Sequence, residues 1–242
     1  MTEAAVEWWG KAGQRSLERS ALIEAAEQLT RALNQTERLP GTPALRREQI
    51  KLQVALANAL MHLKDYAAPE PKAALERARV FMERAEAFGE PPEDPLILFF
   101  VLYGFWAAHY LAFDGDVCRE LTEQFLALAE KQPAKAPRMI GHRITGHTQF
   151  SLGNFAQARS HYDKAVELYD AAEHRSLATR FGQHTRVAVL SYRSWALWIL
   201  GYPAAALVDA ERALTEAREI GHAPTTMFAL GVASVPYFET GI

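Results

Sequence analysis

Cysteine is almost missing. Cys118 stands alone in 242 residues, so the chain can close no internal disulfide and build no cysteine zinc site. That usage suits a reducing, cytoplasmic setting. An excess of basic charge is missing too: 26 Lys and Arg face 29 Asp and Glu, for a formal net charge of −3. Contacts to a phosphate backbone need such an excess, so nucleic acid is not an expected partner. Long hydrophobic runs are nearly absent. The longest, 96–113, is about the minimum length of a membrane span, but Gly104 and His109 interrupt it, Asp114 ends it, and Pro91, Pro92 and Pro95 open it like a helix start. It reads as a helix buried among other helices, which can be apolar on nearly every side, and no membrane partner is expected.

Motifs that carry chemistry are missing as well. No Gly-x-x-x-x-Gly-Lys-Ser/Thr phosphate loop occurs, and Gly10-Lys11 lacks both the upstream glycine and the following hydroxyl. No Gly-x-Ser-x-Gly elbow presents a serine nucleophile. The histidines include no His-Glu-x-x-His, and His142 and His147, five apart, project from different sides of a helix. Asp114-Gly115-Asp116 begins like a calcium loop, but the later oxygen ligands do not follow. No catalytic residue, metal or cofactor is therefore expected. An enzyme built from dispersed residues such as His109, Arg143 and His147 is the lesser alternative.

What the chain does have is a recurring phrase. Ser151-Leu152-Gly153-Asn154-Phe155-Ala156-Gln157-Ala158, followed by Tyr162 and Lys164-Ala165-Val166-Glu167-Leu168, returns as Leu200-Gly201-Tyr202-Pro203 with Ala206, Ala213 and Leu214. Each copy has a glycine ending one apolar helix and small residues on the next, the pattern of a closely packed helical hairpin. Repetition on this scale predicts an all-α chain in which hairpins stack on their neighbours, an α-solenoid. Trp9, Gly13, Ser20, Ala25, Leu29 and Ala32-Leu33 form a similar phrase at the start, and Ala108, Gly115-Asp116 and Ala127 a weaker one. The punctuation predicts one array of about five hairpins, at 3–37, 43–88, 95–131, 137–172 and 184–220, with a last helix at 224–238 lacking its partner. Met227, Phe228, Leu230, Val232, Val235, Tyr237 and Phe238 would leave that last helix apolar and little covered. This predicts a chain cut from a longer protein, or a second copy pairing there.

These phrases resemble the tetratricopeptide repeat, with turn glycines spaced more widely than its roughly 34-residue period. Two residues depart from the pattern: Glu120 stands where a small residue is expected and Arg193 where an apolar contact is expected. In such repeats the first helices line a concave surface. Mapping the resemblance onto this chain places Phe105, His109, Arg143, His147, Phe150, Trp195, Trp198 and Phe228 there, an aromatic groove with a few polar anchors. That composition suits an apolar peptide, a helix of a partner or a small effector.

A narrower likeness lies in Ile50-Lys51-Leu52-Gln53-Val54-Ala55-Leu56, Asp65-Tyr66-Ala67-Ala68-Pro69-Glu70, His174-Arg175-Ser176-Leu177-Ala178 and Trp195-Ala196-Leu197-Trp198-Ile199-Leu200-Gly201-Tyr202-Pro203. These segments are similar to the helical C-terminal region of bacterial class III adenylate/guanylate cyclases that also carry an AAA-type signalling ATPase. The likeness implies a non-catalytic regulatory module whose partners are a protein or peptide, or the cyclase and ATPase domains of the same polypeptide. A stand-alone oligomerisation scaffold or adaptor, dimeric through its C-terminal helix, is the alternative.

Overall fold

The computed structural model describes residues 2–90 and 94–240. They are almost entirely helical, with no strand among them, and the helices pack in adjacent pairs. The chain divides into two compact units, Met1–Phe113 and Asp114–Ile242. The dividing point falls within the interval 95–131 read from sequence as one hairpin, so its first helix belongs to one unit and its second to the other.

The first unit holds α1 (Thr2–Glu18), α2 (Leu22–Thr36), α3 (Pro43–Leu63), α4 (Pro69–Ala87) and α5 (Leu96–Leu111). Val6, Leu29, Ala32, Leu52 and Leu56 form a core between α1, α2 and α3, with Trp9, Leu17 and Leu33 packed around it. Leu29 is fully enclosed, which contributes about 1.5–3 kcal/mol by removing its side chain from water. Two prolines break the chain after α2. The next helix then starts on Thr42, whose hydroxyl accepts from the Leu45 amide at 3.2 Å, with Pro43 in the first turn where no backbone N–H is needed. Arg46 near the start of α3 donates to both carboxylate oxygens of Glu90 at 2.8 and 2.7 Å and lies over the Phe88 ring, fixing the exit from α4. The apolar run forms α5, which buries Phe99, Phe100, Trp106 and Ala108. No helix of the described residues is long and apolar enough to cross a membrane.

The second unit holds α6 (Gly115–Ala129), α7 (Lys135–Ser151), α8 (Phe155–Leu168), a short α9 (Ala171–His174) running into a 3-10 turn (Arg175–Thr179), α10 (Thr185–Ile199), α11 (Pro203–Ile220), α12 (Ala223–Val232) and α13 (Val235–Thr240). The recurring phrase has a common geometry. Gly153 and Gly201 take positive φ of 80° and 87°, and the next residue's amide returns to a carbonyl five positions back, Asn154 to Gln149 and Tyr202 to Leu197, both at 2.9 Å. Ser20 does the same at the end of α1, with φ of 58° and an Ala21 amide bond to Ser16 at 2.8 Å, although it carries a side chain. Ala158 and Ala165 of α8, and Ala206 and Ala213 of α11, are buried to within 1%. The closest approach is at Gly146 of α7. A Cβ there would lie 2.4 Å from Cε1 of Tyr162, a ring that is itself fully buried.

Both departures from the repeat pattern have a physical reason. Glu120 is exposed, because α6 turns Cys118, Thr122, Phe125 and Ala129 inward and the small-residue contact falls to Cys118 and Thr122. Arg193 does not seek an apolar contact. Its guanidinium grips both oxygens of Asp209 on α11 at 2.6 and 2.9 Å and Asp163 on α8 at 2.8 Å, joining three helices. The last segment also differs from one helix over 224–238. Pro236 cannot donate the amide that would carry α12 onward, so a new helix begins at Val235. α12 packs on α10 and α11, and α13 on the same two helices. Met227 and Leu230 are 74% and 52% exposed, while Phe228, Val232, Val235 and Tyr237 are half-buried; the Phe238 side chain lies outside the described residues.

Two substitutions should move stability in opposite directions. Gly146→Ala forces a methyl group into the Tyr162 ring and should destabilise the chain by roughly 1–3 kcal/mol. Ser20→Gly relieves a left-handed backbone and should stabilise it by about 1 kcal/mol. Urea titration of both variants checks them; an unchanged midpoint for Gly146→Ala would contradict the α7–α8 packing.

Candidate functional site

Of the residues that the repeat pattern places on a groove, Phe105 and His109 lie on α5 in the first unit, both half-buried. The others lie in the second unit, where four of them meet around a residue the pattern did not select. Tyr192 of α10 sits 4.2 Å from the His147 ring, 5.3 Å from Phe150 and 5.9 Å from Phe228, and stacks on Trp195 at 6.5 Å. Phe150 also meets Trp195 at 5.3 Å and Phe155 at 5.3 Å. These distances are those of rings in mutual contact, so the group is a continuous aromatic surface and not a cage around an empty centre. Phe150, Tyr192, Trp195 and Phe228 each remain half-buried, so one side of the surface is accessible. Its sequence signal was the spacing of Tyr192 and Trp195, three apart on one helix face.

His147 closes the inner edge. It is buried, and its Nδ1 lies 2.9 Å from the Tyr162 hydroxyl. Arg143, also on α7, serves a different place. One guanidinium nitrogen donates to the carbonyls of Phe181 and Gln183 at 3.2 and 3.3 Å, and the other to Oε1 of Gln183 at 2.5 Å. An enclosed arginine thus adds side-chain bonds to the segment before α10. Trp198 is half-buried and has no ring partner among the described residues.

The segment between α8 and α10 is rich in polar side chains. Asp170 caps α9 by accepting from the Ala172 and Glu173 amides, and its own amide donates to Nδ1 of His174 at 3.0 Å. The Tyr169 hydroxyl meets Nε2 of His184 at 2.8 Å, and the His184 amide donates to Thr225 of α12 at 2.9 Å. Arg186 lies over the Tyr169 ring and pairs with Glu216 at 2.7 Å. These bonds tie the junction to α11 and α12, while Nδ1 of His184 and the Thr185 hydroxyl stay buried without a hydrogen-bond partner among the described residues. Among the described residues no group of three His, Cys, Asp or Glu side chains is placed to hold a metal.

In the first unit, a cleft of about 590 Å³ opens between α1 and α3. Val6, Leu29 and Leu52 form an apolar floor, and Glu7, Lys11 and Glu48 are among its polar lining. The cleft is within the size range of small-ligand sites, and its charges are mixed. The sequence pattern selected no residue here, because the mapping of exposed positions began at α5. No protein-family model matches the sequence, and no curated protein does either.

Burial shapes the proton chemistry of the second unit. Desolvation holds His184 down to about 4 and His147 well below the usual imidazole value. An unfolded imidazole titrates near 6.5, above the folded values, so both groups favour the folded state fully above about pH 6.5 and lose that contribution as pH falls below it, His184 toward about 4. The urea midpoint should be level above about pH 6.5 and decline between about 6.5 and 5, before most carboxylates titrate. His184→Gln should reduce that decline in part, because burial also holds His142, His147, His161, His174 and His222 below the usual imidazole value. A midpoint level down to about pH 5 in the parent chain would refute the assignment of buried neutral histidines.

Proposed function

We propose that the chain is a non-catalytic interaction and regulatory module. It is read as a tetratricopeptide-like α-solenoid of divergent hairpins, acting in the cytoplasm on a protein, a peptide or a small ligand. The observation that carries this reading is the half-buried aromatic surface of Phe150, Tyr192, Trp195 and Phe228, contributed by α7, α10 and α12. Its supports are rigid helices held by small-residue contacts, so the surface is arranged before any partner arrives and binding need not order it. The segments that resemble class III nucleotide cyclases support one choice of partner: the cyclase and ATPase domains of such a signalling protein, carried on the same polypeptide.

The test supplies those catalytic domains as separate purified chains and adds this one. Binding accompanied by a change in cyclase or ATPase turnover supports the reading. Trp195→Ala with Phe228→Ala should weaken that binding by about tenfold or more while leaving the helical circular dichroism intact. No binding and no change in either turnover would overturn it. The alternative of a scaffold dimerising through its last helices is favoured by Met227 and Leu230, exposed side by side on α12. A molar mass rising with concentration, and abolished by Met227→Asp, would select it.

A further inference from the structure

His142 of α7 and His161 of α8 face each other with their Nδ1 atoms 3.0 Å apart. Their ring centroids are 5.2 Å apart, close to the nitrogen contact extended by the two ring radii, so the rings meet nearly head-on. That is the geometry of one shared N–H···N bond. A metal would instead draw both lone pairs toward a common point off the line between them. Around the pair stand Arg138, one turn before His142, and Lys164, three residues after His161. Arg138 has an Nε that is buried with no hydrogen-bond partner, and Lys164 is exposed and enters no ion pair among the described residues. Most other arginines of this unit are taken up by carboxylates or carbonyls, among them Arg143, Arg186, Arg193 and Arg212.

We propose that Arg138, His142, His161 and Lys164 form a binding site for a tetrahedral oxyanion, a phosphate or phosphomonoester, taken up together with one proton. This site is separate from the aromatic surface and does not rest on its assignment. The proton count follows from the pair. In the neutral state one ring gives its Nδ1–H to the other, which leaves the donor ring's Nε2 bare; which ring donates is a matter of tautomer. One added proton goes to that bare Nε2. The shared bond survives and a positive charge appears between two basic side chains; because the rings meet nearly head-on, their outward Nε2 atoms face apart, so only the protonated ring donates to the anion.

Without an anion that proton is disfavoured. Desolvation first, then His161, Lys164 and Arg138, hold His142 down to about 4, and desolvation with Lys164 lowers His161. The elements packed on this hairpin are α6 and α10, and no carboxylate from either acts on the two rings. An anion supplies the missing negative charge, raises the pair's proton affinity and is in turn bound more tightly at lower pH.

Sulfate is the first probe, because its charge is fixed across the range and any pH dependence then belongs to the protein. Calorimetric titration of the full chain should show sulfate affinity rising as pH falls from about 7.5 to about 6, by up to about tenfold per pH unit for one coupled proton. Lys164→Gln lies on the surface and should keep the parent melting temperature while weakening binding several-fold. Arg138→Gln should do the same. Absence of binding, binding independent of pH, or binding unchanged in a folded Lys164→Gln variant would each overturn the proposal. Inorganic phosphate and phosphoserine, compared at about pH 7.5 where both are largely dianionic, then separate a free ion from an esterified one by which binds tighter.

Discussion

The distance between α7 and α8 is set by one hydrogen atom. Gly146 offers nothing more to the ring of Tyr162, and with the two backbones this close Tyr162 can reach His147 with its hydroxyl while staying fully enclosed. His147 then backs Tyr192, and Tyr192 carries Phe150, Trp195 and Phe228. A wider spacing would leave the hydroxyl and imidazole apart and the aromatic surface without its support. Alanines do the same task at Ala158, Ala165, Ala206 and Ala213, where larger side chains would separate the helices.

Much of this was legible from residue types. Helix throughout, and helices packed in adjacent pairs, follow from apolar periodicity broken by Gly153, Gly201 and the prolines around Gly41. Those signals are local, so each can be read without knowing what its helix packs against. Arg193 is the instructive miss. A template expects an apolar residue there, and only the presence of Asp163 and Asp209 on neighbouring helices turns an apparent defect into a three-helix bond. No spacing rule links positions so far apart in sequence. Tyr192 was overlooked for the opposite reason: the tryptophan three residues later drew the pattern, although the tyrosine makes more of the ring contacts. Arg143 shows a third limit. Its helix face could be inferred, but not that its guanidinium bends toward the carbonyls of Phe181 and Gln183.

The two units differ in where charged and histidine side chains are buried. In the first, ion pairs such as Glu7 with Lys11 and Arg79 with Glu76 and Glu83 lie at the surface, where each is worth a fraction of a kcal/mol. In the second, His147, His184, Arg143 and Asp209 are buried. Buried polar groups demand particular partners, so the second unit has fewer alternative ways to pack than apolar burial alone would leave it.

The bond from Arg193 to Asp209 and Asp163 also gives the second unit a mechanical property. α8 and α11 are linked through the Arg193 guanidinium of α10, which spans from the exposed Asp163 to the buried Asp209. A displacement of either helix has to be met by a rearrangement of this one guanidinium or by the loss of one of its carboxylate partners.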